Sequence, residues 1–96
     1  MVFEWDPAKA AANLRKHSVS FEEAASVFLG SEALTYPDPD HSDEEEREIT
    51  IGRSTRGRVL FVAHSARNER IRIISARRAT RQERGHYEEG TGEATR

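Results

Sequence analysis

Between residues 48 and 75 apolar side chains fall at every second position in three successive runs, and turn-forming residues separate the runs. The runs are Glu48-Ile49-Thr50-Ile51, Val59 to His64, and Arg70 to Ser75, with Ser54 to Gly57 and Ala66 to Asn68 between them. A period of two belongs to extended strands. Connections this short join only antiparallel neighbours, so the segment is expected to form a meander with Val59–His64, the most apolar run, at its centre. In a chain of 96 residues there is room for one core and one domain, set here at residues 1–89 with a polar tail at 90–96.

The stretch before the meander follows helical rules. Val2-Phe3-Glu4-Trp5 reads as a short opening strand. Asp6 then offers an N-cap and Pro7 a first helical position, and the Ala-rich run to His17 carries Arg15, Lys16 and His17 where positive charge suits a helix C-terminus. Ser18 closes it. Ser20 and Glu23 form a capping-box pattern, with Val19 and Ala24 as its staple. Phe21, Ala24, Ala25 and Phe28 then recur along one helical face up to Gly30. Ala33 to Tyr36 is a further extended piece, stopped by Pro37-Asp38-Pro39-Asp40. After the meander, Thr80 and Glu83 form a second capping box, and a last helix is expected to run to about Glu89.

The expected fold class is therefore α+β. About four strands form an antiparallel meander, two N-terminal helices pack on it, and a helix closes the chain. Ile49, Ile51, Val59, Phe61, Ile71 and Ile73 are expected to share the face beneath the N-terminal helices. Leu60, Val62, His64, Arg70 and Arg72 would then line the other face.

Net charge alone speaks against a polyanion partner, because 15 Lys and Arg nearly balance 17 Asp and Glu. The distribution reverses that. Residues 1–46 hold three bases and eleven acids, whereas residues 53–84 hold ten Arg and two acids. Such a segregated basic stretch is the footprint of a nucleic-acid binder. Cysteine is absent, so disulfide frameworks, thiol nucleophiles and thiolate zinc sites are excluded. No apolar run approaches the ~20 residues of a membrane span, and the first residues lack the pattern of a signal peptide. These features lead to the expectation of a soluble cytoplasmic protein without a metal or other cofactor. His41 among Asp38, Asp40 and Asp43 is read as part of a solvated acidic loop rather than a metal site.

Arg and His together suit RNA cleavage. RNA carries its own nucleophile, the 2′-hydroxyl. The reaction needs a base for that hydroxyl, donors for the charge developing on phosphorus, and an acid for the departing 5′-oxygen. His64 can be base or acid, and Glu69 is a second candidate base. Arg72, Arg77 and Arg78 suit the phosphate, the last two standing beside a helix start that also favours anions. Arg70 and Arg81 would add contacts to RNA. Each residue also has a purely structural reading. His64 would be a hydrogen-bonded strand-end residue, and Arg70 and Arg72 would pair with Glu48 and Glu69 across strands.

Several blocks together resemble one known family. They are Phe3-Glu4-Trp5-Asp6-Pro7 with Lys9 and Asn13, then Lys16-His17-Ser18-Val19-Ser20-Phe21-Glu22-Glu23-Ala24, then Glu45-Glu46-Arg47 leading to Ile51-Gly52. Arg72-Ile73-Ile74-Ser75-Ala76-Arg77-Arg78-Ala79 with Glu83 and Tyr87 completes the pattern. The chain is similar, over residues 2 to about 89, to the BrnT toxins of type II toxin–antitoxin systems. The resemblance implies a RelE-like ribonuclease that cuts RNA without metal and arrests growth. It also implies neutralisation by a ribbon-helix-helix antitoxin, BrnA, through which the complex binds its operator DNA. The matching polar positions are Lys16, His17, Arg47, His64, Arg72, Arg77, Arg78, Glu83 and Tyr87. Of these, Lys16 joins the catalytic candidates, and His17, Arg47 and Tyr87 the RNA-binding ones, while the capping box accounts for Glu83. Ser18 stands where the family usually has Gly, at a cost of about 1 kcal/mol if its φ is positive. Glu48 is more polar than its counterparts, which suggests an edge strand. A non-catalytic module that uses the Arg-rich face to bind RNA or a protein partner is the alternative.

Overall fold

The computed structural model describes residues 1–40 and 46–92. In chain order it contains β1 (Val2–Glu4), α1 (Pro7–His17), α2 (Phe21–Ser26), β2 (Leu34–Pro37), β3 (Arg47–Arg53), β4 (Val59–Arg67), β5 (Arg70–Arg78) and α3 (Arg81–Thr91). The fold is α+β, with a five-stranded sheet ordered β1-β5-β4-β3-β2. The meander β2-β3-β4-β5 is antiparallel, as expected. β1, however, adds to it in parallel, with Val2, Phe3 and Glu4 opposite Arg70, Ile71 and Arg72. The sheet is thus mixed rather than an antiparallel four-strand meander. A pairing across nearly the whole chain leaves no local trace in sequence. The expected edge strand β3 lies inside the sheet, since the short β2 covers its outer side.

Local signals fix the helix ends. Asp6 Oδ1 accepts from the backbone N–H groups of Ala8 at 2.8 Å and Lys9 at 3.3 Å. Ser18 ends α1 with φ at 57°, the left-handed region. Ser20 Oγ accepts from Glu23 N–H at 3.0 Å. The Glu23 carboxylate turns to Arg58, whose Nε lies at 2.9 Å, and to Ser54 Oγ at 2.7 Å. The Arg58 hydrogen bonds hold the buried Glu23 carboxyl below its ordinary range, and Glu23 in turn raises Arg58. One ion pair thus ties α2 to the β3–β4 turn. A 3-10 turn, Val27–Leu29, follows α2. It crosses β3 at Gly52, where a Cβ would stand 2.7 Å from Val27 Cγ1. The β4–β5 hairpin closes on Asn68 and Glu69, both with positive φ, as a two-residue type I′ connection requires.

The sheet is covered on both faces, and the helices divide differently from the sequence expectation. α1 and α2 pack on Leu60, Val62, Ile73 and Ala76, with Phe3, Trp5 and Phe28 around them. Ile49, Ile51 and Val59 lie under α3, against Tyr87. Period-two spacing groups residues by face but does not say which helix covers which face. Ile73 changes sides for a further reason. The β4–β5 register slips between Ala63 and His64, so Ser75 pairs with Ala63 whereas Ile73 pairs with His64, leaving Ile74 as an extra residue.

Both halves of the Thr80–Glu83 capping box form. α3 continues past Glu89 and Gly90 to a left-handed cap at Gly92. Gly90 is not a stop. It lets the helix approach β2, since a Cβ there would lie 2.9 Å from Leu34 Cδ1. His41 and Asp43 of the acidic loop, and residues 93–96 of the tail, lie outside the described residues. Among those described, no helix is long and apolar enough to cross a membrane.

Candidate nucleic-acid interface

β1 pairs with β5 only as far as Arg72. Beyond it α1 takes over the open strand edge through one side chain. Asn13 Nδ2 donates to the carbonyl of Ala76 at 2.8 Å and to that of Val19 at 2.9 Å, while Asn13 Oδ1 accepts from Ala76 N–H at 3.1 Å. The amide stands in for a neighbouring strand. It also places the next turn of α1, with Lys16 and His17, beside Ile74 and Ser75 in a shallow depression.

A second depression opens on the face that α3 only partly covers, between Asp38, Arg47, Phe61, Ser75 and Arg77. Ser75 borders both. Lys16 and His17 from one helix, and Arg47 and Arg77 from the sheet, therefore flank the same stretch of β5. Sequence separation hides this cluster.

Arg77 is held in place from three sides. Its guanidinium carbon lies 4.0 Å from the centroid of the Phe61 ring, a geometry worth about 0.5–1 kcal/mol at an exposed site. Nη1 and Nη2 donate to the two oxygens of Glu83 at 2.8 and 2.9 Å. Nη1 also reaches the carbonyl of Arg78 at 3.2 Å. The Arg77 hydrogen bonds lower the Glu83 carboxyl, and Glu83 raises Arg77. Glu83 thus does more than cap α3: it accepts from Thr80 N–H at 2.8 Å and fixes Arg77 with the same carboxylate. The planar fork of Arg77 stays pointed along the sheet, where it can exchange a carboxylate for a phosphate of similar geometry.

Arg47 pairs across Ser65 with Arg72, so the two arginines share a face two strands apart, roughly 10 Å. Arg47 Nε is 3.7 Å from Asp38 Oδ2. Buried Arg47 Nε and Ser65 Oγ have no hydrogen-bond partner among the described residues. Arg72 Nη1 donates to Glu4 Oε2 at 3.1 Å, and Arg70 Nη1 lies 3.7 Å from Glu4 Oε1. The carboxylate comes from β1, not from Glu48 or Glu69 as the cross-strand reading had it.

Other candidates stand elsewhere. His64 lies on the face under the N-terminal helices, 3% exposed, with Phe28 edge-on at 4.8 Å and Thr50 Oγ1 2.7 Å from Nε2. Burial pushes its pKa down to about 4, so the imidazole is neutral at pH 7. The structure does not bring it to the arginine cluster. Tyr87, on α3, is buried in the core against Ile49, Ile51 and Val59. Arg78 and Arg81 are exposed near the start of α3. Lys16 is exposed and His17 half-buried. Glu69 sits exposed in the hairpin turn at the far end of β5. Sequence reading passed over Phe61, Ser75 and Asp38, which complete the depression. Phe61 and Arg77 are direct cross-strand partners, which puts them on one face, and that register has no local signal in the sequence. No group of His, Asp and Glu that could hold a metal ion occurs among the described residues.

The architecture and the Arg-lined sheet define a small α+β protein with a cationic, partly covered sheet face. The family model described as "Ribonuclease toxin, BrnT, of type II toxin-antitoxin system" matches residues 5–83. The chain belongs to that family, whose membership implies an RNA target and an antitoxin partner. Among solved structures, the 1.1 Å crystal structure of the Brucella abortus ribonuclease toxin BrnT aligns with a TM-score of 0.64. It covers 84% of this chain and 100% of its own at 21% identity, a likeness of fold. No curated protein sequence matches the chain.

Proposed function

We propose that the chain is the endoribonuclease of a type II toxin–antitoxin pair and cuts RNA through the 2′-hydroxyl without a metal ion. The observation that carries this reading is the position of Ser75, between the Lys16–His17 turn and the Arg47–Arg77 depression. A phosphate over Ser75 would have cationic donors on both sides. Arg77 and Arg47, with Arg72 next to them, neutralise the two negative charges of the phosphorane. His17 and Lys16, on a helix end that Asn13 pins to the strand, exchange protons with the 2′-oxygen and the 5′-oxygen. Arg70 and Arg81 extend the field along the RNA backbone, whereas Arg78, opposite Leu60, projects from the other face of the sheet. His64, neutral and enclosed, serves as packing, and Tyr87 anchors α3 to the sheet. The antitoxin would be a ribbon-helix-helix protein of the BrnA kind, covering the same cationic face.

The test is a labelled RNA incubated with purified protein in EDTA. Cleavage by the wild type, lost in Arg77→Ala and in Lys16→Ala/His17→Ala with an unchanged circular-dichroism spectrum, is the expected result. RNA that is retarded but never cut would assign the face to binding alone. Full activity in Arg77→Ala would remove the site.

A further inference from the structure

We propose that Tyr36 is a stacking platform for a nucleobase next to the cleaved phosphate, and so a determinant of which RNA sequence is cut. The proposal rests on the RNA-cleaving reading above and deepens it. Of the seven Phe, Tyr and Trp residues, Tyr36 is the one whose side chain is exposed, at 38%. The others are buried or half-buried. Its ring is on the side that matters. Tyr36 pairs with Ile49, Ile49 with Ala63 and Ala63 with Ser75, so the four residues form one row across β2, β3, β4 and β5. Aligned residues share a face, and that face carries Phe61 and Arg77 in the next row.

The separation is suitable. Arg77 leans over Phe61 on β4, which brings its guanidinium to within two strand spacings of β2, roughly 10 Å. A nucleotide whose phosphate sits on Arg77 can lay its own or the next base on Tyr36. The electrical surroundings agree with this neighbourhood. Burial raises the phenol above its ordinary pKa, with Glu83 adding to the rise and Arg77 opposing it. The hydroxyl therefore stays neutral, and the ring offers a π face without a charge that would repel phosphate. Pro37 follows directly at the end of edge strand β2, with Thr35 Oγ1 2.7 Å from Thr50 Oγ1 just before it. The strand is anchored on one side of the ring and stiffened on the other. An aromatic face on a rigid strand beside an Arg cluster is the arrangement single-stranded RNA uses for stacking.

The experiment measures steady-state cleavage and product sequence for wild type, Tyr36→Ala and Tyr36→Phe. It adds binding of an uncleavable oligonucleotide that carries 2-aminopurine beside a 2′-deoxy cleavage position. Tyr36→Ala is expected to raise KM roughly ten-fold or more, with a smaller change in kcat. It should also flatten the base preference at one position flanking the cut and abolish the quenching of 2-aminopurine. Tyr36→Phe, which keeps the ring, restores all three. Unchanged KM, preference and quenching in Tyr36→Ala would overturn the proposal while leaving the ribonuclease reading intact. A Tyr36→Phe variant as impaired as Tyr36→Ala would also overturn it, since the hydroxyl and not the ring would then be at work. Failure of the wild type itself to bind or cut RNA would instead refute the underlying reading.

Discussion

Replacing Asn13 with Ala tests how the site is assembled. The side chain is 7% exposed and makes three hydrogen bonds, all to main-chain groups of Val19 and Ala76. Ala76 is 1% exposed and lies where β5 has lost β1 as a neighbour. Truncation leaves one N–H and two carbonyls without their partner in a closed environment. Each such group costs about 1–3 kcal/mol when unsatisfied. Allowing for some water entry, the loss should be about 3–5 kcal/mol, a large share of the roughly 5–15 kcal/mol typical of a domain. Urea unfolding followed by circular dichroism reads this directly. The midpoint should fall sharply while the slope stays constant, the mark of a change in stability alone. A loss below about 1 kcal/mol would show that α1 is not held to β5 by this amide. The positioning of Lys16 and His17 beside Ser75 would then need another cause.

Ser18 and His64 each carry a further expected outcome. Ser18 holds φ at 57°, so Ser18→Gly should stabilise the fold by about 1 kcal/mol, seen as a higher melting temperature, whereas a lower one would contradict the left-handed cap. His64 titrates from 6.5 in the unfolded chain down to about 4 when folded. Between these values the unfolded state binds a proton and the native state does not, so stability falls as pH drops through that window, by up to about 3 kcal/mol. His64→Gln should flatten the loss between pH 6.5 and 5 in urea titrations, and an unchanged slope would show that the imidazole is not buried neutral.

Much of the fold was legible because its signals are local. Asp6-Pro7, Ser20 to Glu23 and Thr80 to Glu83 each announce a helix start by chemistry confined to four residues. Alternation in β3, β4 and β5 gave the antiparallel meander for the same reason. What stayed hidden depends on contacts distant in sequence. The parallel β1–β5 pair joins residues 2–4 to residues 70–72, and the bulge at Ile74 transfers Ile73 to the opposite face. Which helices cover which face decided the fate of His64. Its spacing placed it with Leu60 and Val62, correctly, but that face lies beneath Phe28 rather than open to RNA. The arginine-rich stretch was visible as charge, yet its members serve different ends. Arg58 closes on the buried Glu23, Arg72 on Glu4 and Arg77 on Glu83. Only the fold separates the arginine that locks a turn from the one laid over Phe61.

The most direct test of the central claim is the chemistry of the cut. Once the cleaved position is mapped, the protein is given the same RNA in EDTA with a single 2′-deoxy nucleotide at that position. Attack by the 2′-hydroxyl predicts that the deoxy substrate remains whole and that the all-ribose substrate yields a 2′,3′-cyclic phosphate end. Cleavage of the deoxy substrate, or a product that ends in a free 3′-hydroxyl, would contradict it.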